Sequence, residues 1–228
     1  MSQIGAVARE GTLQSLWGRH FLQEAAIVQQ YNKTPTEEWR AGGRATKEWP
    51  AKENEQWWSV NGPAMLQGFV EWWEANNDWH IWASPNGEIA VELDVTGSIG
   101  DTLVKAFVDL VAYDQDGVLS VIDFKTGSST PTSGMQLGLY ATLIEAQFGV
   151  RPQRGYFYSA RKGMMIPMQD MSRWTYPVFA ELFNQFNTAV EDRIFLPNLG
   201  MTCSSCSVNQ YCFVYSGNTE IDPLGKVK

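Results

Sequence analysis

The sequence of 228 residues predicts an α/β protein, a sheet with helical additions in one domain. Two patterns lead to this fold class. Apolar residues recur at helical spacing near both ends of the chain, and between them short β-branched and aromatic runs alternate with turn residues. The order is helices, a strand meander, a helix, a strand and a helix, which is typical of a sheet covered by helices.

Turn and cap residues mark the limits of the predicted elements. Helices are expected over residues 11–31, 63–77, 135–148 and 172–192. Strands are expected over residues 79–84, 89–96, 103–113, 118–124, 155–160 and 166–168. Pro63 is acceptable in a first helical turn, residues 114–117 carry a hairpin signal, and Gly149 ends the helix before it.

One domain over residues 1–228 is expected, and it has four parts. These are a helical N-terminal part (1–78), a core (79–195), a Cys-rich segment (196–215) and a tail (216–228). Eight of the ten tryptophans lie between Trp39 and Trp82. They could stack on unpaired bases, but we predict that most of them pack the helical part, with one or two exposed rings near a substrate path.

Composition bounds the class of protein. Hydrophobic residues make up 44% and charged residues 18%, which is too apolar for a disordered chain. No apolar run approaches the roughly 20 residues that cross a bilayer, and the N-terminus lacks a signal-peptide pattern, so we expect a soluble, cytoplasmic protein without membrane contact. The formal charge of −8 argues against a broad basic surface that coats nucleic acid.

The stretch from Asp109 to Tyr140 contains the residues best suited to catalysis. Asp123 and Lys125 are two apart on a predicted strand and so project from one face. If this strand pairs with the preceding one, Asp109 approaches Asp123, and two carboxylates repel unless a divalent cation lies between them or one holds a proton. Lys125 could orient a water or stabilise negative charge. Gln136 and Tyr140 share a helix face.

This run resembles the PD-(D/E)XK nuclease core in its RecB-like exonuclease branch, whose pattern is Gly-x-x-Asp, Asp-x-Lys-Thr-Gly and Gln-x3-Tyr. Ala106 stands where that Gly would be. The resemblance implies a mixed central sheet flanked by helices, with an N-terminal helical addition and a C-terminal Cys segment. It also implies Mg²⁺ or Mn²⁺ as the cofactor and a DNA strand end as the substrate.

The resemblance also implies roles for single residues. Asp109, Asp123 and the Phe124 carbonyl would bind metal, and Lys125 would be the catalytic lysine. Gln136 and Tyr140 are similar to helix residues that support the site and contact the substrate strand. Glu92 resembles an upstream acid of this branch; the alternative is a solvent-facing strand residue. Arg161, in the least acidic third of the chain, is a candidate phosphate contact.

Three cysteines, Cys203, Cys206 and Cys212, lie within ten residues and favour a metal or cluster site over disulfides. Their spacing resembles the C-terminal triplet of CRISPR-associated and AddB-type iron–sulfur nucleases, in which a fourth Cys lies upstream. Without a fourth Cys, a four-cysteine cluster in one chain is excluded. His20 could complete an iron–sulfur or zinc site; it could also be a partly buried helix histidine, and a metal-free remnant stays open.

The resemblance implies a metal-dependent DNA exonuclease of recombination, repair or phage DNA processing, in a bacterial or phage-infected cell. Further copies of the chain, or a recombination or replication protein, are candidate partners. Two alternatives stay open. One is a catalytically weak or inactive DNA-binding or interaction module with a Cys-bound metal or iron–sulfur site, since Thr46 stands where many members have a metal-binding His. The other is a zinc-dependent interaction module built on the Cys segment.

Overall fold

The computed structural model describes residues 10–31, 35, 39, 41–129, 131–167, 169–194, 196–200 and 202–219. Its helices are α1 (Glu10–Tyr31), α2 (Glu55–Ala75), α3 (Met135–Phe148), α4 (Tyr176–Glu191) and the single turn α5 (Phe213–Ser216). Its strands are β1 (His80–Ile81), β2 (Val91–Ile99), β3 (Thr102–Tyr113), β4 (Leu119–Lys125), β5 (Arg154–Ser159) and β6 (Met164–Met165). Two 3₁₀ turns, Cys203–Ser205 and Asn209–Tyr211, precede α5. The observed α/β class confirms the predicted fold class.

Helix α2 begins eight residues before its predicted start. Asn54 has extended backbone, and its side chain accepts a hydrogen bond from the N–H of Trp57 at 3.0 Å, so it caps the helix. Pro63 therefore lies inside the helix, where it can donate no backbone hydrogen bond. The prediction that Pro63 occupies the first turn is wrong, because the capping residue lies further upstream, in the polar stretch of residues 32–56.

The sheet is mixed, with the order β1-β3-β4-β5-β6, and β2 also pairs with β3. Strands β3 and β4 are antiparallel, with Leu110 opposite Ile122 and Tyr113 opposite Leu119. Strand β5 then pairs with β4 in parallel, from Ser120–Arg154 to Lys125–Ser159. Helix α3 forms the crossover that a parallel pair requires. The predicted first strand is reduced to two residues, and β6 lies two residues before its predicted start; Met168 falls outside the described residues.

The aromatic residues of α2 form a core against one face of the sheet. Phe69 contacts Phe124 and Tyr158 edge-on, with ring centroids 4.9 and 5.1 Å apart. The buried members of this core are Trp73, Trp79, Leu110, Ala112, Ile122, Tyr156 and Tyr158. None of the eight clustered tryptophans, all of which are described, is exposed. The predicted packing role holds, but the expectation of an exposed ring is wrong, because neighbouring side chains cover part of each ring.

Helix α3 contacts the sheet through its buried face. A side chain at Gly155 would lie 2.9 Å from Leu137, and one at Gly97 would lie 3.3 Å from Leu143, so both glycines allow a close approach. The helix ends at Gly149, whose φ of 73° is the left-handed conformation that glycine adopts without strain. Its observed limits match the predicted ones.

The chain divides into two compact units by its internal contacts. The first contains residues 1–98 and 103–176, and with them α1–α3 and all of the sheet except the last residue of β2 and the first of β3; the second contains residues 99–102 and 177–228. In the second unit, the Asn187 amide donates to the Thr102 hydroxyl at 2.8 Å. The single-domain organisation stays a prediction, and residues 1–9 and 220–228 lie outside the described residues. No helix in the described ranges is both long and apolar enough to cross a membrane.

Candidate active site

Strand β4 presents two functional side chains on one face and a packing side chain on the other. Asp123 and Lys125 alternate with Phe124, as strand geometry requires. Phe124 lies against Phe69 and Tyr158, so its ring holds the strand from the α2 side. Lys125 Nζ lies 2.6 Å from Asp123 Oδ2, and only 4% of the Asp123 side chain is exposed. The acid and the lysine therefore form a shielded ion pair at the end of β4.

Asp109 lies where β3 and β4 separate. The paired register runs from Tyr113–Leu119 to Leu110–Ile122. One residue further, Asp109 Oδ2 accepts a hydrogen bond from the backbone N–H of Phe124 at 2.7 Å. The carboxylate takes the place of a backbone acceptor and satisfies the donor that the diverging strands leave unpaired. The two predicted acids thus come from neighbouring strands at one end of the ladder.

Helix α3 closes the site with Gln136 and Tyr140, one turn apart. The amide nitrogen of Gln136 donates to Asp123 Oδ1 at 2.7 Å and to the Tyr140 hydroxyl at 2.8 Å. Its amide oxygen accepts from Lys125 Nζ at 2.9 Å. One side chain therefore orients both the acid and the lysine, and the predicted residues Asp123, Lys125, Gln136 and Tyr140 form one hydrogen-bonded group.

The pKa values of the site reflect burial among several acids. Burial raises the pKa of Asp123 most, the Lys125 hydrogen bond and charge lower it, and the Asp109 charge raises it, with a net increase. Burial also raises the pKa of Tyr140, and the charges of Asp123, Asp109 and Glu92 add to that increase. The site therefore holds more negative charge than Lys125 neutralises, which is the condition that a divalent cation relieves.

Glu92 lies on β2 with an exposed side chain and a φ of 51°, an uncommon backbone conformation for a residue other than glycine. Partial burial raises its pKa first, and the negative charge of Asp109 raises it further. The charge of Asp109 thus acts on Glu92, although Glu92 makes none of the hydrogen bonds that join Asp123, Lys125 and Gln136.

The ligand types fit Mg²⁺ or Mn²⁺, because these hard cations prefer carboxylate and carbonyl oxygens. Asp123 Oδ2 is buried and, within the described residues, accepts no well-directed hydrogen bond, although Lys125 Nζ is at ion-pair distance. The described ranges contain no set of three Asp, Glu, His or Cys side chains that already converges as a metal-binding group. The acids would have to draw together to hold an ion.

Arg161, the predicted phosphate contact, is engaged with protein groups. Its Nε donates to the Thr126 carbonyl at 2.6 Å, and its Nη2 lies 2.7 Å from Glu53 Oε2. The guanidinium also stacks over Trp57, 4.8 Å from the ring centroid. Sequence reasoning missed Glu53 and Trp57 because they lie in the polar stretch and at the unexpected start of α2. The pair Gly42–Gly43 was the available signal for a tight turn there.

The three cysteines are free thiols in the second unit, and Cys206 is exposed. They line an apolar cavity of about 460 Å³ together with Leu196, Pro197, Asn198, Leu199, Val208, Asn209, Tyr211, Phe213 and Tyr215. His20 is an exposed residue of α1, in the first unit. Among the described residues of the second unit, the cysteines do not form a metal-binding group with an acid or a histidine. The iron–sulfur or zinc site stays a prediction.

A mixed sheet that brings Asp109, Asp123 and Lys125 together beneath a Gln-x3-Tyr helix defines a nuclease-type α/β protein. Residues 13–213 match the PD-(D/E)XK nuclease superfamily, and the chain belongs to it. This confirms the superfamily that the motifs predicted; its members are generally nucleases, for which DNA is the implied substrate. The chain is also 30% identical over 194 residues to the Gene 69 protein of Mycobacterium phage D29, with 76% of this chain and 70% of the relative covered.

Proposed function

We propose that the protein is a metal-dependent DNA exonuclease of the RecB-like type. The observation that carries the proposal is the hydrogen-bonded group of Asp123, Lys125 and Gln136 beside Asp109, in a chain of a nuclease superfamily. Two acids and a lysine at the end of a strand pair suit phosphodiester hydrolysis, which needs an activated water and stabilisation of negative charge on the phosphate.

Mg²⁺ or Mn²⁺ would be held by Asp109, Asp123 and the Phe124 carbonyl, with Glu92 as a further ligand. Bound there, the ion supplies a water of lowered pKa and polarises the scissile phosphate. The burial of Asp123, whose Oδ2 has Lys125 Nζ at ion-pair distance but accepts no well-directed hydrogen bond within the described residues, supports this ligand set.

The remaining side chains act on the substrate and the water. Lys125 donates to the attacking water or to the phosphate oxygen that gains negative charge. Gln136 keeps Lys125 and Asp123 in position through its two hydrogen bonds. Gln136 and Tyr140 are the proposed contacts to the substrate strand. For Arg161, whose guanidinium is bound to Thr126 and Glu53, contact with a phosphate is a second candidate role beside positioning.

The charge distribution supports engagement of a DNA strand end rather than a broad basic contact. Residues 1–100 carry a formal charge of −6, residues 101–150 carry −4 and residues 151–228 carry +2. The middle value includes Asp109 and Asp123, which a divalent cation would neutralise. Action in recombination, repair or phage DNA processing, inside a bacterial or phage-infected cell, belongs to this proposal, as do association into oligomers and with a recombination or replication protein.

The proposal is tested by incubating linear DNA with Mn²⁺ and the wild type, Asp123→Ala and Lys125→Ala. Both substitutions should abolish cleavage, while Asp116→Ala, an exposed acid of the β3–β4 turn, should cleave like the wild type. Circular DNA of the same sequence should resist cleavage if the enzyme needs an end. Equal activity of all four proteins on linear DNA would contradict the nuclease assignment.

A second candidate function is a DNA-binding or interaction module with little or no activity. The observation that favours it is that Asp123 is paired with Lys125 and no three metal-binding side chains converge within the described residues. A Mn²⁺ titration separates the two functions. A catalytic site should bind Mn²⁺ and lose it in Asp109→Ala, whereas a metal-free module should bind none in either protein.

The Cys segment forms a separate proposal, in which Cys203, Cys206 and Cys212, with His20 or another fourth ligand, hold an iron–sulfur cluster or zinc. The clustering of three free thiols around one cavity supports it. Freshly purified protein should be brown with broad visible absorbance if a cluster is bound. Colourless protein with one equivalent of zinc would favour zinc, and the absence of both metals would contradict the proposal. Zinc without nuclease activity would instead identify a zinc-dependent interaction module.

A further inference from the structure

The segment that follows Lys125 is held from two sides. The Ala160 N–H donates to the Lys125 carbonyl at 3.0 Å, which continues the β4–β5 pairing by one bond. Arg161 Nε then donates to the Thr126 carbonyl at 2.6 Å, beyond the last paired residue. Beyond the last backbone hydrogen bond between β4 and β5, the chain is therefore held by the Arg161 side chain.

Arg161 is itself held by Glu53. Their ion pair of 2.7 Å is partly shielded, because the Arg161 and Glu53 side chains are 21% and 16% exposed. Glu53 N donates to the Gly42 carbonyl at 3.2 Å, and a Cβ at Gly43, whose φ is +68°, would lie 2.2 Å from Glu53 Oε1. Gly43 thus leaves room for the Glu53 carboxylate because it lacks a side chain.

Both supports of β4 come from the region of α2. Phe69, inside the helix, contacts Phe124 immediately before Lys125. Glu53, just before the capping residue Asn54, acts through Arg161 on Thr126 immediately after Lys125. Phe124 and Thr126, on either side of the proposed catalytic lysine, are thus held by this region. Phe69 contacts Phe124 directly, and Glu53 acts on Thr126 through Arg161.

We propose that Arg161 and Glu53 are positioning residues that set the location of the Lys125 ammonium relative to Asp123. This inference deepens the proposed function and rests on it for the catalytic role of Lys125. The partly shielded ion pair and the stacking over Trp57 support positioning, because they hold the guanidinium against protein groups on two sides. A planar guanidinium can bond Thr126 and Glu53 at once and stack as well, which an ammonium cannot do.

The first experiment measures the position of Lys125 without relying on activity. Wild type, Arg161→Ala and Glu53→Gln are briefly acetylated with an amine reagent, and each lysine is quantified by mass spectrometry. Loss of the Thr126 hydrogen bond should release Lys125 from Asp123 and raise its labelling about fivefold in Arg161→Ala, as expected for local opening. Glu53→Gln, which keeps a hydrogen-bond acceptor, should give a smaller rise.

Lys105 is the internal control, because its ion pair with Asp94 on β2 makes no contact with Arg161. Its labelling should be unchanged in every variant. If both Lys105 and Lys125 were labelled faster in Arg161→Ala, that variant would have lost its fold in general. The labelling of Lys125 in Glu53→Gln would then decide whether the Arg161–Glu53 pair positions Lys125. Unchanged labelling of Lys125 in both variants overturns the proposal, whether or not the protein cleaves DNA.

The second experiment separates positioning from phosphate binding by kinetics on linear DNA. Arg161→Ala and Arg161→Lys should both lower kcat about tenfold with KM within about twofold, because misplacement of a catalytic group acts on the chemical step. Arg173→Ala, whose guanidinium also lies 4.8 Å from a tryptophan ring, is the matched control and should leave both constants unchanged. A raised KM at constant kcat, restored by lysine, would overturn positioning. Failure of the wild type to cleave DNA would remove the proposed function, while the labelling result would still stand.

Discussion

Asp109 Oδ2 accepts the backbone N–H of Phe124 at 2.7 Å, in the position where the β3–β4 ladder would otherwise supply a carbonyl. The same carboxylate raises the pKa values of Asp123 and Glu92 through its charge. One side chain therefore has a structural task, which needs an oxygen acceptor, and an electrostatic task, which needs a negative charge. Two substitutions separate these tasks.

Asp109→Asn keeps an oxygen that can accept the Phe124 N–H but removes the charge. We expect its free energy of unfolding to stay within about 1 kcal/mol of the wild type, with Mn²⁺ binding lost and DNA cleavage reduced about 100-fold or more. Asp109→Ala also leaves the N–H without an acceptor and should cost about 1–2 kcal/mol more in stability. Urea unfolding and Mn²⁺ titration provide the readouts. Wild-type cleavage by the Asn variant would exclude a role for the charge.

Gln136→Leu should be more damaging than Tyr140→Phe. The first removes the bonds to Lys125, Asp123 and Tyr140. The second removes one acceptor of the Gln136 amide and the hydroxyl that helps to lower the pKa of Asp123, and it keeps the bonds of Gln136 to Lys125 and Asp123. We expect kcat on linear DNA to fall about tenfold in Gln136→Leu and about twofold in Tyr140→Phe, according to the number of bonds lost. A larger effect of Tyr140→Phe than of Gln136→Leu would contradict this ranking and would mean that the Tyr140 hydroxyl, rather than the Gln136 amide, matters more for the site.

Asp114 should make stability depend on pH at the acidic end. Burial acts to raise the pKa of Asp114, but hydrogen bonds from Val118 N–H, Arg154 and Asp116 N–H outweigh burial and lower it. The folded protein thus binds this proton less readily than the unfolded chain. The stabilisation is complete above the unfolded pKa of about 4 and is lost as the pH falls through the lower folded value.

The variant Asp114→Asn should cost about 2–3 kcal/mol at pH 7 because it leaves Arg154 without its buried partner. In urea unfolding curves, the difference from the wild type should shrink as the pH falls below about 4. Asp116→Asn, whose side chain is 56% exposed, is the control and should cost less than about 1 kcal/mol. A difference that is constant from pH 7 to pH 3 would contradict this account of Asp114.

Gly62 and Gly18, both inside helices, should respond oppositely to alanine. A Cβ at Gly62 would lie 2.1 Å from the Trp17 ring of α1, whereas a Cβ at Gly18 would meet nothing within 4 Å. Gly18→Ala should gain up to about 1 kcal/mol from helix propensity. Gly62→Ala should lose about 1–3 kcal/mol because Trp17 must move. Urea unfolding followed by tryptophan fluorescence measures both, and stabilisation by Gly62→Ala would mean that α1 does not contact α2 as described.

The elements that the sequence predicts best are those that local chemistry determines. Helix α3 has its predicted limits because Gly149 supplies a left-handed cap, and β3 and β4 agree with their predictions to within one residue at each end. The start of α2 was missed because the capping Asn54 lies in a polar stretch that reads as loop. Tertiary packing of the tryptophans tolerates Pro63 inside the helix, against its intrinsic preference.

In the candidate site as well, the contacts between residues close in sequence could be predicted, and the contacts between distant residues could not. The proximity of Asp109 and Asp123 follows from one hairpin, and Gln136 and Tyr140 follow from the spacing of one helix turn. The Arg161–Glu53 pair joins residues 108 positions apart, and no local pattern encodes such a contact. Arg161 was accordingly expected to be a surface phosphate contact, without the partners that the structure gives it.

Because Phe69 packs against Phe124, a protein shortened from its N-terminus should lose part of its core. A fragment that begins at residue 79 would retain every motif residue yet expose Phe124, Tyr158 and the rest of the apolar face that α2 covers. Such a fragment should aggregate or require the missing helix to be added as a separate peptide. We therefore expect the first 78 residues to be needed for the sheet that carries the motif side chains to fold, although none of those side chains belongs to them.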